Sequence, residues 1–200
     1  MKKSTVALLL VAAMTAQYAS ASDWFIRGGA SSVNPKSDTG KLAGLDSSMS
    51  SNTQLGLTVG YFFMPNMVVE LLASTPFTHD VSLAGLGKVG ETKHLPPTLS
   101  VQYYFNAEGK VSPFVGAGLN YTWTFVDKAT GPLTGHQLKV GNSFGLAAQA
   151  GLRFALSNNW DIVADARWMD IDADVRLNGA DIGTATVDPM VYSIMLGKRF

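Results

Sequence analysis

The sequence predicts an all-β fold, an eight-stranded antiparallel transmembrane β-barrel with short periplasmic turns and long extracellular loops. Three observations carry this. Apolar residues recur at every second position in several long segments. Charged residues make up only 15% of the chain, against about 25% in soluble domains, yet no stretch beyond residue 21 resembles a membrane-spanning helix. The segments between strands alternate between short turns and long polar stretches, as the two rims of an outer-membrane barrel require.

The first element is not a strand. Lys2 and Lys3 precede an apolar run from Val6 to Met14, and Ala19-Ser20-Ala21 places small residues at the −3 and −1 positions. This pattern is a bacterial secretory signal with cleavage expected after Ala21, leaving 22–200 as the barrel. Removing two lysines leaves 13 basic and 15 acidic residues, which offers no basic surface for nucleic acid. The absence of cysteine excludes disulfides, thiolate metal sites and lipid attachment through a lipobox.

The strands follow at approximately 23–33, 53–63, 67–77, 95–105, 111–125, 142–156, 160–175 and 187–200. In the second, Leu55, Leu57, Val59, Tyr61 and Phe63 alternate with Gln54, Gly56, Thr58 and Gly60. The fifth sets Val115, Ala117, Leu119, Tyr121 and Trp123 against Gly116, Gly118, Asn120 and Thr122. The sixth sets Leu146, Ala148, Ala150 and Leu152 against Gly145, Ala147, Gln149 and Gly151. One face is apolar and the other small or polar. The polar face would make a poor soluble core but suits a lumen, while the apolar face suits lipid. Met64-Pro65-Asn66, Asn106 to Lys110 and Ser157-Asn158-Asn159 read as turns, and 34–52, 78–94, 126–141 and 176–186 as loops. Trp24, Tyr61, Phe63, Tyr103, Phe105, Tyr121, Trp123, Trp160, Trp168, Tyr192 and Phe200 supply two interfacial girdles. Phe200 is also the terminal aromatic expected to signal strand assembly to the barrel assembly machinery.

Continuing the alternation, Arg27, Glu70, Arg153, Asp161, Asp165 and Arg167 point inward as a polar lumen network, chiefly in the periplasmic half. Such a set either plugs a narrow eight-stranded interior or forms an ion-selective filter. Above it, Leu72, Met169 and Ile171 make the upper lumen apolar, as a channel lining or as simple packing. Pro96 and Pro97 give no N–H to the ladder and mark a candidate lateral opening near the outer leaflet, while Pro35 and Pro76 lie near strand ends. His79, His94 and His136 fall in or beside the outer segments and read as solvated loop residues. Asp170, Asp172 and Asp174 share one face at the outer end of the seventh strand, suited to a polar rim, to weak cation binding or to lipopolysaccharide through bridging ions. No nucleophile, base and acid gather, and no cofactor motif is present, so no enzyme is predicted.

Six blocks occur in order: Asn52-Thr53-Gln54-Leu55-Gly56-Leu57-Thr58, Val69-Glu70-Leu71-Leu72-Ala73-Ser74-Thr75-Pro76-Phe77, His94-Leu95-Pro96-Pro97-Thr98, Pro113-Phe114-Val115-Gly116-Ala117-Gly118-Leu119-Asn120-Tyr121, Trp168-Met169-Asp170-Ile171-Asp172 and Val187-Asp188-Pro189. Together they resemble the OmpW family of small outer-membrane proteins over essentially the whole mature chain. The resemblance implies an eight-stranded barrel in the bacterial outer membrane, with a narrow apolar channel for small hydrophobic molecules and exit through the wall into the bilayer. Two positions depart from the family's expected pattern. Lys198 stands where an aromatic would precede the terminal Phe, and Arg167 stands where a bulky apolar residue would face the channel, within reach of Asp165. Two other functions stay open: a channel for ions or small polar solutes, and a surface receptor or stress-response barrel acting through 34–52 and 126–141.

Overall fold

In the computed structural model, residues 23–200 are described; the expected signal segment and its cleavage after Ala21 lie outside them. Fifteen strands follow in chain order: β1 (Trp24–Asn34), β2 (Lys41–Leu42), β3 (Leu45–Met49), β4 (Asn52–Met64), β5 (Met67–Ser74), β6 (Phe77–Leu83), β7 (Gly87–Leu95), β8 (Thr98–Tyr104), β9 (Val111–Ala129), β10 (Leu138–Val140), β11 (Ser143–Ala155), β12 (Trp160–Met169), β13 (Asp172–Leu177), β14 (Ala180–Thr186) and β15 (Met190–Arg199).

Eight of these close a barrel. The order β11, β12, β15, β1, β4, β5, β8, β9 returns to β11, every neighbour antiparallel. Closure follows from the solvent: lipid offers the backbone no hydrogen bonds, so a sheet crossing it cannot keep a free edge. The outward positions match. Leu55 is 62% exposed, Ile194 66% and Phe144 68%, values that make sense only against hydrocarbon. At one rim the chain turns tightly. Asn158 and Asn159 both take positive φ, as the two-residue hairpin turn of matching twist requires.

At the other rim the structure corrects the sequence reading. The segments 34–52, 78–94, 126–141 and 176–186, expected as loops, largely carry strand. β2 and β3 form a hairpin, β3 pairs with β6, β6 with β7, and β7 with the outer part of β9. β10, β13 and β14 form a second small sheet. The barrel wall thus continues as an extracellular extension. Several expected strands are shorter than predicted. Residues 67–77 break after Ser74, and 160–175 break at Asp170-Ile171 before resuming as β13.

The extension is legible as an exchange of faces. In β5 the exposed residues are Leu71 and Ala73, beside lipid. In β6 the buried ones are Phe77, His79, Val81 and Leu83, while Thr78, Asp80 and Ser82 lie toward water. Above the bilayer the outside is aqueous, so the apolar side chains turn inward. Asp172 and Asp174 accordingly lie on the exposed face of β13.

Two cores result. The lower one packs Phe25, Phe62, Val68, Tyr104, Ala107, Phe114 and Val163. The upper one runs from Val33, Leu72 and Met195 into the extension through Phe77, Leu83, Leu138, Ile171 and Val187. Placing a cation on the lipid face at mid-wall should cost about 2–4 kcal/mol. Ile194, paired with Ala30 and Ala164, is such a position. Ile194→Arg is expected to lower unfolding free energy in lipid vesicles by that amount in a urea titration. Asp174→Arg, on the exposed extension, should change it by less than about 0.5 kcal/mol.

Candidate functional site: an apolar chamber above a charged base

From the periplasmic side upward, the lumen starts with rings. Phe25 meets Phe62 edge-on at 6.0 Å, Phe62 approaches Tyr104 at 5.5 Å, and Tyr104 stacks on Phe114 at 4.9 Å. Glycines make room for them. A Cβ on Gly60 would come within 2.1 Å of the Phe25 ring, and one on Gly197 within 2.2 Å of the Arg27 side chain. The sequence reading placed girdle aromatics outward but missed this inward set. Counting by twos from Arg27, the same alternation puts Phe25 inside.

The next layer is charged. Arg27 is 1% exposed and grips Asp161 with two hydrogen bonds, Nε to Oδ1 and Nη2 to Oδ2, both 3.0 Å. Its Nη1 donates to the Tyr104 hydroxyl at 3.3 Å and lies 3.6 Å from Glu70, and its guanidinium sits 3.7 Å above the Phe25 ring. Arg167 donates to Glu70 at 2.9 Å. It was expected to reach Asp165 on its own strand, but it spans the lumen to β5 instead. Asp165 lines the same layer without a hydrogen bond from Arg167. Arg153 is set apart: it donates to the carbonyls of Ala107 and Gly109 and to the Ser112 hydroxyl, bracing the turn between β8 and β9. Three arginines against three carboxylates leave no net charge in this base. Arg27 and Arg167, paired with Asp161 and Glu70, crowd the narrow eight-stranded interior at this level.

Above lies a thin polar shelf. Gln149 donates to Ser100, and Ser31 to Ser193. Then the interior turns apolar. Leu72, Met169 and Ile171 are 5%, 1% and 2% exposed and belong to one buried cluster, with Val187 and Val191 among its members. Sequence reasoning named only these three of the set; Leu42, Val81, Leu83, Val89, Leu138 and Ala185 sit in segments read as polar loops, while Val33, Val187, Val191 and Met195 lie in expected strands. Inside the extension a void of about 40 Å³ remains among Leu42, Val81, Val89, Ile171 and Val175. The same measure gives 150 Å³ for an apolar cavity that admits benzene, so the chamber is closed to such a solute until side chains move. Met49 on its wall is a flexible side chain suited to yielding.

The wall beside this chamber is interrupted. β5 pairs with β8 up to Leu72 and Thr98, and pairing resumes between Phe77 of β6 and His94 of β7. Four residues, 73–76, then face three, 95–97. On the far side of Pro76, Thr75 N–H reaches the Leu55 carbonyl, and the next bond is from Ser50 N–H to the Asp80 carbonyl. The Ser74 hydroxyl is buried without a partner. The Pro97 carbonyl holds to β9, accepting from Tyr121 N–H at 3.0 Å and from Asn120 at 3.2 Å, and the Pro96 carbonyl accepts from the Thr98 hydroxyl at 3.2 Å. The sequence reading put the break at Pro96-Pro97 and treated Pro76 as a strand end; the structure joins all three in one gap. Leu95 pairs with the exposed girdle residue Trp123, which sets the gap at the level of the outer interface.

Two of the three histidines differ from expectation. His136 is exposed and contacts Asn178. His79 and His94 are buried side by side in the extension, their rings edge to face at 4.8 Å. Burial lowers the pKa of both below the ordinary imidazole range; at His79 the Ser50 carbonyl opposes this, and at His94 the neighbouring His79 adds to it. Among the described residues no group of three His, Cys, Asp or Glu could hold a metal ion. Phe200 is half exposed on the outer surface, its N–H bonded to the Trp24 carbonyl, with the Lys198 ammonium 5.7 Å from its ring.

Comparison with known proteins places this arrangement. The model of the OmpW family matches residues 20–200. The chain is 40% identical to outer membrane protein W of Vibrio cholerae and 38% identical to outer membrane protein W of Escherichia coli, covering the whole of each chain. The crystal structure of the outer membrane protein OprG from Pseudomonas aeruginosa superposes with a TM-score of 0.79 at 34% identity, covering 90% of this chain and 96% of that one.

The charged layer has a measurable consequence. Asp161→Asn leaves Arg27 buried without its bidentate partner, so unfolding free energy in vesicles should fall by about 3–5 kcal/mol. A urea titration of intrinsic tryptophan fluorescence reads this. A change below 1 kcal/mol would mean that the base is hydrated rather than locked.

Proposed function

The chain belongs to the OmpW family, a barrel of the bacterial outer membrane, and from that premise we propose that it takes up small hydrophobic molecules passively and releases them sideways into the bilayer. The observation that carries this is the wall gap at Pro76, Pro96 and Pro97, set beside an apolar chamber whose floor is charged. Each part supplies one step. A solute arriving from outside enters among the inward apolar side chains of the extension, gaining about 25 cal/mol for each Å² removed from water. Below, it meets the shelf and the ion pairs of Arg27, Glu70, Asp161 and Arg167, whose separation it would have to force. The easier direction is outward through the wall. Interrupted pairing costs least there, since unpaired backbone at the interface can meet water or the cavity.

Phe77 is the side chain best placed as the gate. It is 2% exposed, stands first above the gap, and packs against His79 and His94. Leu72, Met169 and Ile171 line the descent toward the gap. Relatives fit this reading at a distance: a 25% identical protein of Pseudomonas aeruginosa is named for a dibenzothiophene metabolism operon, and that compound is hydrophobic. The crowded base argues against the alternative of an ion or polar-solute channel. Phe200 and the girdles serve insertion by the assembly machinery, and the exposed acidic face of β13 meets the lipopolysaccharide layer through bridging cations.

Replacing Pro96 and Pro97 with Val and Thr restores N–H donors and should let β5–β6 and β7–β8 zip together. Uptake of a labelled hydrophobic probe into cells is expected to drop about tenfold, while heat-modifiable migration shows intact assembly. Planar-bilayer recordings of the unaltered protein should show no steady through-current. Unchanged uptake in the double variant would overturn the lateral route.

A further inference from the structure

The uptake reading leaves two buried groups unexplained. His79 and His94 each bury an Nε2 with no hydrogen-bond partner, His94 on the wall of a void lined by apolar side chains and four threonines, and His79 against the His94 ring. A buried imidazole nitrogen without a partner is destabilising, a cost that packing alone would avoid with Leu or Phe at either position. Each sits where a strand turns its face inward, on adjacent strands β6 and β7 directly above the wall gap. His94 lines the void itself.

Their chemistry is constrained by what surrounds them. His79 Nδ1 contacts the Ser50 carbonyl. A carbonyl only accepts, so this nitrogen carries the proton, and Nε2 of the neutral ring is a bare lone pair. His94 chooses its tautomer by its partner, and its Nε2 can carry the N–H. The pair then offers one acceptor and one donor. No Asp, Glu, Lys or Arg lines the void, and the nearby Asp127 carboxylate is already engaged by the Thr92 hydroxyl and by Val140 N–H. A carboxylate head would meet the His79 lone pair with no cation to hold it. An amine head would find no carboxylate. A hydroxyl, which donates one hydrogen bond and accepts another, matches both nitrogens.

We propose that the chamber is selective for amphiphiles of one kind, small apolar chains ending in a single neutral hydroxyl, with His79 and His94 reading that head group. The proposal rests on the uptake reading and adds a substrate class to it. An alcohol leaves both imidazoles satisfied and puts its chain against Leu42, Val81 and Val89. An alkane of the same length fills the same space and leaves both nitrogens bare. Two hydrogen bonds favour the alcohol by about tenfold.

The test uses the full barrel in lipid nanodiscs with ¹⁵N-labelled histidine, with 1-hexanol and hexane as probes. Hexanol is expected to shift the ring-nitrogen resonances of His79 and His94 saturably and to leave exposed His136 unchanged, while hexane shifts neither buried ring. In vesicles, the ratio of hexanol to hexane uptake should fall about threefold in His94→Leu, and His94→Gln, which keeps a donor and an acceptor, should restore most of it. Entry of both probes with no imidazole shift and an unchanged ratio would overturn head-group selection while leaving the uptake reading standing. Saturable imidazole shifts without protein-dependent entry of either probe would support the binding site and refute transport.

Discussion

The constraint on which the structure depends is that lipid hydrocarbon cannot hydrogen-bond a peptide group. Every strand that crosses must find partners on both sides, and eight strands closing on themselves are the solution used here. The same constraint gives the gap at Pro76, Pro96 and Pro97 its meaning. Where the wall also breaks, between β12 and β13, backbone bonds still bridge it, Met169 N–H to the Pro189 carbonyl and Val187 N–H to the Ile171 carbonyl, so the interruption beside Pro96 and Pro97 is a place where the wall yields first. That it lies beside the apolar chamber, and not over the ion pairs, ties the weak point of the wall to the part of the lumen that a hydrophobic solute can occupy.

Closure at eight strands also makes the lumen narrow, and the chain fills it in layers that differ in what they exclude. Aromatic rings block the lowest level. Arg27, Asp161, Glu70 and Arg167 form a neutral lock above them, each ion held by a partner on another strand. The apolar cluster above has no such directional bonds, so it can rearrange at the cost of dispersion contacts alone. Rigidity below and plasticity above follow from these two kinds of interaction.

Much of this was legible in the sequence. Period-two alternation located all eight barrel strands within a few residues, and its inward phase put Arg27, Glu70, Arg153, Asp161, Asp165 and Arg167 on the lumen side as an expected network. What escaped was the extension. Its strands carry few apolar residues, because only one face is buried and the other meets water, so 78–94 and 176–186 look polar in composition. A signal was present: Asn178-Gly179, both at positive φ, is a hairpin turn between alternating segments. The pairing of Arg167 with Glu70 across the lumen was beyond strand-level reasoning, since it depends on which strands face each other once the barrel closes. His79 and His94 escaped for the same reason, being fifteen residues apart and joined only by the β6–β7 hairpin.

The central claim is the route, and a photoactivatable hydrophobic probe traces it directly. Irradiating cells or vesicles loaded with a diazirine-bearing alkyl probe and mapping the adducts by mass spectrometry should mark Leu72, Phe77 and the segment 95–97. Phe25, Phe62 and Tyr104 should stay unmarked. Adducts on those three rings would show the probe crossing the base, and would contradict lateral exit.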